Sequence, residues 1–249
     1  MRRFFISSQA IVQERVQLSG AEFHHLRHVL RLDRGTRVTL YDERGATYYG
    51  EILQIEPTHA EVGITKHVPP ATRAFHFTLA QGTLKGRRMD LVIEKATELG
   101  VHAIAPFVSA FTVARIPEGK RAERLARWQH IARAAAKQSG SPPPEIRPPQ
   151  SFPEILHSVP APSEKLIFSE REQSLHLKEF AQNSTQFDAL HILVGPEGGF
   201  APEEIEQAQA AGFVPVSLGA AVLRAETASI TAVALCQFLW RDIQFPPLP

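Results

Sequence analysis

The sequence of 249 residues has little cysteine, no long apolar run and almost no net charge. Its one cysteine, Cys236, excludes an internal disulfide framework and any zinc site built from several cysteines. No apolar run reaches the roughly 18 residues of a membrane-spanning helix, and Phe4-Phe5-Ile6 is too short for the apolar region of a signal peptide. We therefore expect a cytoplasmic globular protein of one large or two modest domains.

Two phosphate-binding signatures are missing as well. No Lys-Ser or Lys-Thr pair follows a glycine-rich loop as in a Walker motif, and no Gly-x-Gly-x-x-Gly spacing marks a dinucleotide fold. The spacing of His24, His25 and His28 is compatible with a metal, but no carboxylate or cysteine partner supports one. We expect no metal site.

Charge is distributed unevenly, although the formal net charge is only +1. Residues 71–147 hold 13 Lys and Arg against 6 Asp and Glu, whereas residues 148–249 hold 5 against 12. A basic block beside an acidic one favours a focused surface for a polyanion, although solvated helix faces produce the same pattern.

The pattern of apolar and turn residues changes near residue 70. Short strands and turns fill residues 1–70, with one helix at about 21–31 that a capping box of Ser19 and Glu22 would start, and this predicts a small β-barrel. Val68-Pro69-Pro70 breaks regular structure and is the candidate domain boundary.

Strands and helices alternate from residue 75 onward, which predicts an α/β domain with a mostly parallel sheet. The helix predicted at residues 226–240 is apolar nearly all round, so we expect it to be buried in the fold or in an oligomer contact. The other predicted helices cover residues 86–99, 121–138, 174–182 and 202–211, and the predicted strands cover residues 75–80, 102–108, 165–169, 190–194 and 214–218.

A ligand loop is expected where the apolar strand at 190–194 runs into Gly195-Pro196-Glu197-Gly198-Gly199. Glycines at the carboxyl end of a strand let the backbone approach a ligand closely, although the same residues also form ordinary turns. A second loop, residues 217–227, follows the next strand along the chain. Two loops at the ends of neighbouring strands can hold one small molecule between them.

The two loops, with Glu98-Leu99-Gly100-Val101, Lys137-Gln138-Ser139-Gly140 and residues 24–31, resemble the RsmE-type 16S ribosomal RNA uridine-N3 methyltransferases of the SPOUT superfamily. The most specific motifs are Val194-Gly195-Pro196-Glu197-Gly198-Gly199-Phe200 and Val222-Leu223-Arg224-Ala225-Glu226-Thr227-Ala228. The resemblance spans essentially the whole chain.

The resemblance implies an N-terminal PUA-like β-barrel that binds RNA at residues 1–70 and a SPOUT methyltransferase domain with a trefoil-knotted backbone at residues 71–249. It also implies a homodimer that acts on 16S ribosomal RNA or the 30S ribosomal subunit. The residues that it implies for binding S-adenosylmethionine are Leu193, Val194, Gly195, Pro196, Glu197, Gly198, Gly199, Leu218, Gly219, Val222, Leu223, Arg224, Ala225, Glu226 and Thr227.

Two residues are candidates for the chemistry. Arg224, carried over from the family motif, is expected to stabilise charge on the uracil ring or to orient it, unless it forms a structural pair with Glu226 or with a backbone carbonyl. Glu197 is expected to stabilise the cationic cofactor or to accept a proton, and Glu226 has the same options or a role at the helix start. A buried Cys236 argues against methylation of a pyrimidine C5, which normally uses a cysteine nucleophile.

Basic side chains in both segments are expected to contact RNA. These candidates are Arg2, Arg3, His25, Arg27, Arg31, Lys85, Arg87, Arg88, Lys137, Gln138 and Arg147. Two departures from the family pattern bear on RNA contacts: Ser141 stands where an arginine is usual, and Ala110-Phe111-Thr112 stands where Glu-Arg-Ser is usual.

Two other functions stay open. A 2′-O-ribose RNA methyltransferase has a related glycine loop, but its later loop typically carries asparagine and serine where this chain has residues 219–224. A non-catalytic RNA-binding factor for ribosome assembly would use the same scaffold, but its cofactor loops should have decayed, and here both loops look intact.

Overall fold

The computed structural model describes residues 2–43, 45–69, 75–170, 175–184 and 187–240. It divides into two compact units, one of Met1–Thr72 with Ala136–Pro143 and one of Arg73–Ala135 with Pro144–Pro249. One long helix therefore contributes residues to both units. Pro70, at the candidate domain boundary, lies outside the described residues.

The first unit is built on a curled five-stranded sheet in the order β1-β3-β4-β5-β2. The pair β1 and β3 is parallel and the other pairs are antiparallel. Alternate side chains such as Val38, Leu40 and Ile52 are buried in one core, because successive residues of a strand point to opposite faces. The strands are β1 (Arg3–Phe5), β2 (Arg15–Ser19), β3 (Arg37–Tyr41), β4 (Thr47–Ile55) and β5 (His59–Val68).

The helix predicted at 21–31 is split into α1 (Gly20–His24) and a π-helical segment, His25–Val29. Phe23 and Leu26 point into the core. The predicted capping box is wrong, because the side chain of Ser19 makes no cap hydrogen bond. Glu22 instead accepts a hydrogen bond from Lys137 Nζ at 2.6 Å. The carboxylate that the local sequence assigns to the helix cap is therefore bonded to a residue far along the chain.

The second unit contains a seven-stranded sheet whose described pairs are all parallel, which confirms the predicted α/β architecture. Its order is β12-β10-β11-β6-β7-β8, with β9 paired to β7. The short strands β8 and β9 were not predicted. The strands are β6 (His76–Gly82), β7 (Ala103–Val108), β8 (Glu145–Ile146), β9 (Gln150–Ser151), β10 (Glu164–Phe168), β11 (Ala189–Val194) and β12 (Val214–Val216).

Helices cover both faces of this sheet. Trp128 and Val233 pack with Ile192 on one face, and Phe152 packs with Leu193 on the other. The helices are α2 (Arg87–Glu98), α3 (Arg121–Ser139), α4 (Phe152–His157), α5 (Leu177–Asn183), α6 (Pro202–Ala210) and α7 (Ala225–Trp240). The predicted start of α5 at residue 174 lies outside the described residues. Among the described helices, none is long and apolar enough to cross a membrane.

The last helix, α7, is less buried than its composition predicts. Val233 and Cys236 are fully buried, but Phe238 is 72% exposed and Leu235 is 38% exposed. One side of α7 packs in the second unit, and its opposite side leaves apolar side chains uncovered in the single chain.

Candidate active site

The second unit has a cavity at the edge of the sheet where its parallel strands end. The cavity has a volume of about 490 Å³, within the range of about 300 to 1,000 Å³ that is usual for small-molecule sites. Its walls come from the segments that follow β10, β11 and β12, from the start of α7 and from Arg88 of α2. Parallel α/β sheets usually bind their ligands at this edge.

The glycine loop, residues 195–199, closes as a tight turn in which Gly199 N donates to the carbonyl oxygen of Pro196 at 2.9 Å. Gly199 has a φ of +68°, a left-handed conformation that favours glycine. The end of β6 passes directly against this loop. A Cβ atom at Gly82 would lie 2.5 Å from the backbone nitrogen of Pro196, so no side chain fits at position 82.

Gln81, fully buried at the end of β6, joins the glycine loop to α7. Its Nε2 donates to the carbonyl oxygen of Gly195 at 3.3 Å, and its Oε1 accepts a hydrogen bond from the hydroxyl of Ser229. Because buried polar groups are normally hydrogen-bonded, these contacts fix the position of the loop relative to the helix. The sequence analysis missed both Gln81 and Gly82, whose only signal was their place at the end of an apolar strand.

The second loop, residues 217–227, forms the opposite wall of the cavity. Ser217 Oγ accepts a hydrogen bond from Gly219 N at 3.0 Å, and Gly219 has a φ of +130°. The prediction that the two loops follow neighbouring strands is wrong, because β10 lies between β11 and β12. The segment after β10 adds Ser169 and Glu170 to the cavity, and sequence reasoning missed both.

Two glutamates in the cavity wall each have a buried oxygen without a hydrogen-bond partner among the described residues, Oε2 of Glu197 and Oε2 of Glu226. The other oxygen of Glu197 accepts hydrogen bonds from Lys85 N at 2.9 Å and from the Arg88 guanidinium at 3.1 Å. A buried acceptor without a partner costs about 1 to 3 kcal/mol. The cavity is therefore suited to a ligand that brings positive charge or hydrogen-bond donors.

Arg224 lines the same cavity and is exposed. Within the part of the chain that the structure describes, its guanidinium forms no ion pair, and the alternative structural pair with Glu226 is not made. Its backbone carbonyl accepts a hydrogen bond from Ala228 N at 2.8 Å, which fixes the residue at the start of α7. The guanidinium is therefore available to a ligand.

Most of the predicted cofactor residues line the cavity. Leu193 does not, because it is fully buried in the core. Gly198 and Thr227 also lie outside the lining, and Gly198 instead abuts Phe111. The residues that line it are Val194, Gly195, Pro196, Glu197, Gly199, Leu218, Gly219, Val222, Leu223, Arg224, Ala225 and Glu226.

Several residues of the first unit that were predicted to contact RNA are instead in contact with other residues of the same chain. Lys137 pairs with Glu22 and lies 5.4 Å from the centroid of the Phe4 ring. The Arg3 guanidinium lies against Gly140. Burial lowers the pKa of His25, and the positive charge of nearby Lys137 lowers it further. Arg27 lies 3.6 Å from Asp33, whereas Arg2, Arg31 and Gln138 are exposed.

The candidates in the second unit separate into two groups. Lys85, Arg87 and Arg88 are exposed at and just before the start of α2, where Lys85 N bonds to Glu197 of the glycine loop and Arg88 reaches the cavity. Arg147 pairs with Glu145 at 3.2 Å. The structure therefore brings one of the predicted basic residues, Arg88, into the cavity wall.

The histidine and cysteine side chains form no cluster of metal ligands in the described ranges, where no three His, Cys, Asp or Glu residues converge. The rings of His24 and His28 lie 4.9 Å apart. Burial raises the pKa of the Cys236 thiol far above its ordinary range, so this thiol is not a nucleophile.

Comparisons with known proteins agree with this geometry. A family model described as an RNA methyltransferase domain matches residues 71–237, and one described as an RNA methyltransferase PUA domain matches residues 18–65. The ribosomal RNA small subunit methyltransferase E of Synechocystis is 31% identical over 235 residues, covering 93% of this chain and 76% of that protein. The protein of the same name from Bacillus subtilis is 26% identical, covering 96% of each chain.

A solved structure has the same fold. The crystal structure of ribosomal RNA small subunit methyltransferase E from Neisseria gonorrhoeae, bound to S-adenosyl methionine, has a TM-score of 0.87 and 34% identity, covering 98% of this chain and 100% of that chain. This chain belongs to the family of ribosomal RNA small subunit methyltransferases E.

Proposed function

We propose that this protein transfers the methyl group of S-adenosylmethionine to N3 of a specific uridine in 16S ribosomal RNA. The observation that carries this proposal is the cavity in which Glu197 and Glu226 each leave a buried oxygen unpaired while Arg224 stands free at the wall. S-adenosylmethionine supplies an electrophilic methyl group on a sulfonium cation.

The residues present fit this cofactor. The glycine loop and the second loop would hold it between them, and the cavity volume of about 490 Å³ suits a ligand of its size. The unpaired oxygens of Glu197 and Glu226 match the positive charge of a sulfonium or ammonium group, which would offset their burial. Gln81 keeps the glycine loop in place through Gly195.

The reaction also requires that the uridine be positioned and that the proton on its N3 be removed. N3 of uridine carries a proton and lies on the pairing edge of the base, so the base must be unpaired before it reacts. Loss of that proton leaves negative charge on the ring, and the free guanidinium of Arg224 would stabilise it. One oxygen of Glu197 is already bonded to Lys85 and Arg88, so its other oxygen would face the cofactor or accept the proton.

The substrate and its binding surface follow from the same family. We propose that residues 1–70 form a PUA-like domain that helps to hold the RNA and that residues 71–249 form the SPOUT methyltransferase domain. We further propose that its partner is 16S ribosomal RNA or the 30S subunit and that it acts in the cytoplasm. The trefoil knot stays a prediction.

We also propose a homodimer formed through the uncovered side of α7. Phe238 is 72% exposed there, and Leu235 and Leu239 stand beside it with 38% and 36% exposure. A helix that places large apolar side chains on both its core side and its outer side is typical of a subunit contact.

Primer extension on 16S ribosomal RNA tests the proposed function. N3-methyluridine cannot pair normally, so wild-type cells should show a stop of reverse transcriptase that disappears in cells lacking this protein and returns with the wild-type gene. Persistence of the stop would contradict the assignment. Methylation confined to a ribose 2′-oxygen would support the second candidate, and no calorimetric binding of S-adenosylmethionine would support a non-catalytic factor.

A further inference from the structure

Two more loops stand at the same edge of the sheet, beside those that line the cavity. β6 and β7 follow β11 in the order of strands, so the segments after them lie next to the glycine loop. The segment after β6 includes exposed Lys85, and the segment after β7 includes exposed Phe111. Residues 109–113 do not line the cavity and have no part in the function proposed above.

The turn after β7 is held rigidly by buried hydrogen bonds. Ser109 N donates to Thr112 Oγ1 at 2.8 Å, and Thr112 N donates to the carbonyl oxygen of Ser109 at 3.2 Å. Ala110 N donates at 2.8 Å to Glu204 Oε1, and the other oxygen of that carboxylate accepts from Ala201 N at 3.0 Å. The turn is therefore anchored to α6, the helix that directly follows the glycine loop.

This rigid turn presents Phe111 to solvent against the outer side of the glycine loop. Phe111 is 44% exposed, and its Cβ lies 2.7 Å from the position that a Cβ atom of Gly198 would occupy. A single exposed apolar residue is common on protein surfaces. Phe111 differs because its backbone is fixed and because it borders the loop of the candidate active site.

The surroundings of Phe111 favour a polyanion. One oxygen of Glu197, next to Gly198, accepts hydrogen bonds from Lys85 N and from Arg88, and Asp90 is paired with Arg127 at 2.6 Å. The side chains of Lys85 and Arg87 are exposed and form no ion pair among the described residues. Lys85 N bonds to Glu197 and Phe111 abuts Gly198, so a segment with free positive charge and an exposed aromatic ring both border the glycine loop, a combination typical of surfaces that bind single-stranded nucleic acid.

We propose that Phe111 stacks on a nucleobase of the RNA next to the reacting uridine, while Lys85 and Arg87 contact its phosphates. The identity of the RNA, but not the stacking, rests on the proposed function. The family usually has Glu-Arg-Ser where this chain has residues 110–112, so a ring replaces a guanidinium, and both groups can stack on a base. Stacking by Phe111 would give the departure at these positions a physical role.

Binding of RNA to three variants, measured without cofactor, tests the stacking. Phe111→Leu keeps an apolar side chain and removes the ring, Phe111→Tyr keeps the ring, and Val113→Ala alters a neighbour that is 70% exposed. The probes are a fluorescent single-stranded RNA and small ribosomal subunits from cells lacking this protein. We expect Phe111→Leu to weaken binding roughly tenfold and the other two variants to bind like the wild type.

The outcomes are distinct. Wild-type affinity in Phe111→Leu, equal losses in Phe111→Leu and Phe111→Tyr, or no measurable binding of either RNA by the wild type would overturn the proposal. A change in sedimentation of Phe111→Leu would identify the residue as a subunit contact and overturn it too. A protein that binds RNA through Phe111 and yet transfers no methyl group would contradict only the proposed function.

Discussion

The side chain of Gln81 is bonded to Gly195 on one side and to Ser229 on the other, so one buried amide connects the glycine loop to the helix that carries Glu226. This connection links the two walls of the cavity through a residue that does not itself line it. The shape of the candidate cofactor site therefore depends on the end of β6 as well as on the two loops.

Replacing Gln81 with methionine should loosen this connection. Gln81→Met preserves side-chain length but leaves the Ser229 hydroxyl and the Gly195 carbonyl without this partner. We expect the free energy of unfolding to fall by about 2 kcal/mol and the affinity for S-adenosylmethionine to fall roughly tenfold. Urea denaturation and calorimetric titration measure the two effects. The matched variant Ser229→Ala removes the hydroxyl that bonds to Gln81 and to the Ala225 carbonyl oxygen but keeps the bond from Gln81 to Gly195, so it should lower the affinity less, whereas unchanged affinity in Gln81→Met would refute the coupling.

Substitution of Arg224 should separate catalysis from cofactor binding. We expect Arg224→Ala to lower kcat by roughly 100- to 1,000-fold, since in the proposed function the guanidinium would stabilise charge that develops during the reaction. The affinity for S-adenosylmethionine should change much less. Arg124→Ala, at an exposed position of α3, is the control and should keep full activity. Methyl transfer to small ribosomal subunits measures the rate, and a wild-type kcat in Arg224→Ala would exclude the role.

Neutralising Glu226 should have opposite effects on stability and on binding. Glu226→Gln removes the charge of a half-buried carboxylate whose Oε2 is buried and has no partner among the described residues, so we expect the free protein to become more stable by about 1 kcal/mol. The affinity for S-adenosylmethionine should fall roughly tenfold, while that for S-adenosylhomocysteine, which lacks the sulfonium charge, should fall less. Thermal unfolding and calorimetry check the pair of effects. Equal losses for both ligands would place the carboxylate away from the sulfonium group.

Stability should depend on pH through His191. Burial, together with the smaller effect of the charges of Arg147, His76 and Lys165, lowers the pKa of His191 from 6.5 to about 4. The unfolded chain therefore takes up this proton at a higher pH than the folded chain, so the stabilisation is present above pH 6.5 and is lost as the pH falls towards 4.

The loss of stability expected from His191 is large enough to measure. Between about pH 7 and about pH 5 we expect His191 to account for a loss of roughly 2 kcal/mol in the free energy of unfolding. His191→Gln does not titrate in this range and should show a correspondingly flatter pH dependence in urea denaturation. The same slope in both proteins would show that His191 is not responsible.

The proposed dimer depends on the uncovered side of α7. Phe238→Asp places a charge in the contact, and we expect it to weaken dimerisation at least roughly tenfold, as seen by analytical ultracentrifugation. Val12→Asp changes an apolar residue of the first unit that is 66% exposed, and it should leave the assembly unchanged. A wild-type protein that sediments as a monomer would contradict the proposal directly.

The sequence predicted elements well wherever the apolar pattern was regular. β7 begins one residue later and β11 one residue earlier than predicted, and α3 ends one residue later than predicted, because apolar runs and helical spacing are local properties. β8 and β9 have two residues each and are too short to show a period. The missed helix α4 did carry a signal, since Ser151 and Glu154 form a true capping box at its start.

The sequence predicted the two loops of the candidate site but not the residues that hold these loops in place. Glycines and motif residues marked the segments at 195–199 and 217–227, but nothing local indicates that β10 inserts between their strands and adds Glu170. Gln81 acquires its role only from residues more than a hundred positions away. The role of Glu22 was mispredicted for the same reason, because its ion pair with Lys137 joins residues that are far apart in the sequence.

The close approach of Gly82 to Pro196 restricts what can be changed in this protein. Since a Cβ atom at position 82 would meet backbone atoms, compensating changes in neighbouring side chains cannot make room for it. Redesign of the cofactor site for a bulkier methyl-donor analogue must therefore leave this codon untouched and take its variation from the wall at 217–227, where Val222 lines the cavity and is 75% exposed. A library randomised at positions 82 and 222 should return glycine at 82 and a spread of residues at 222.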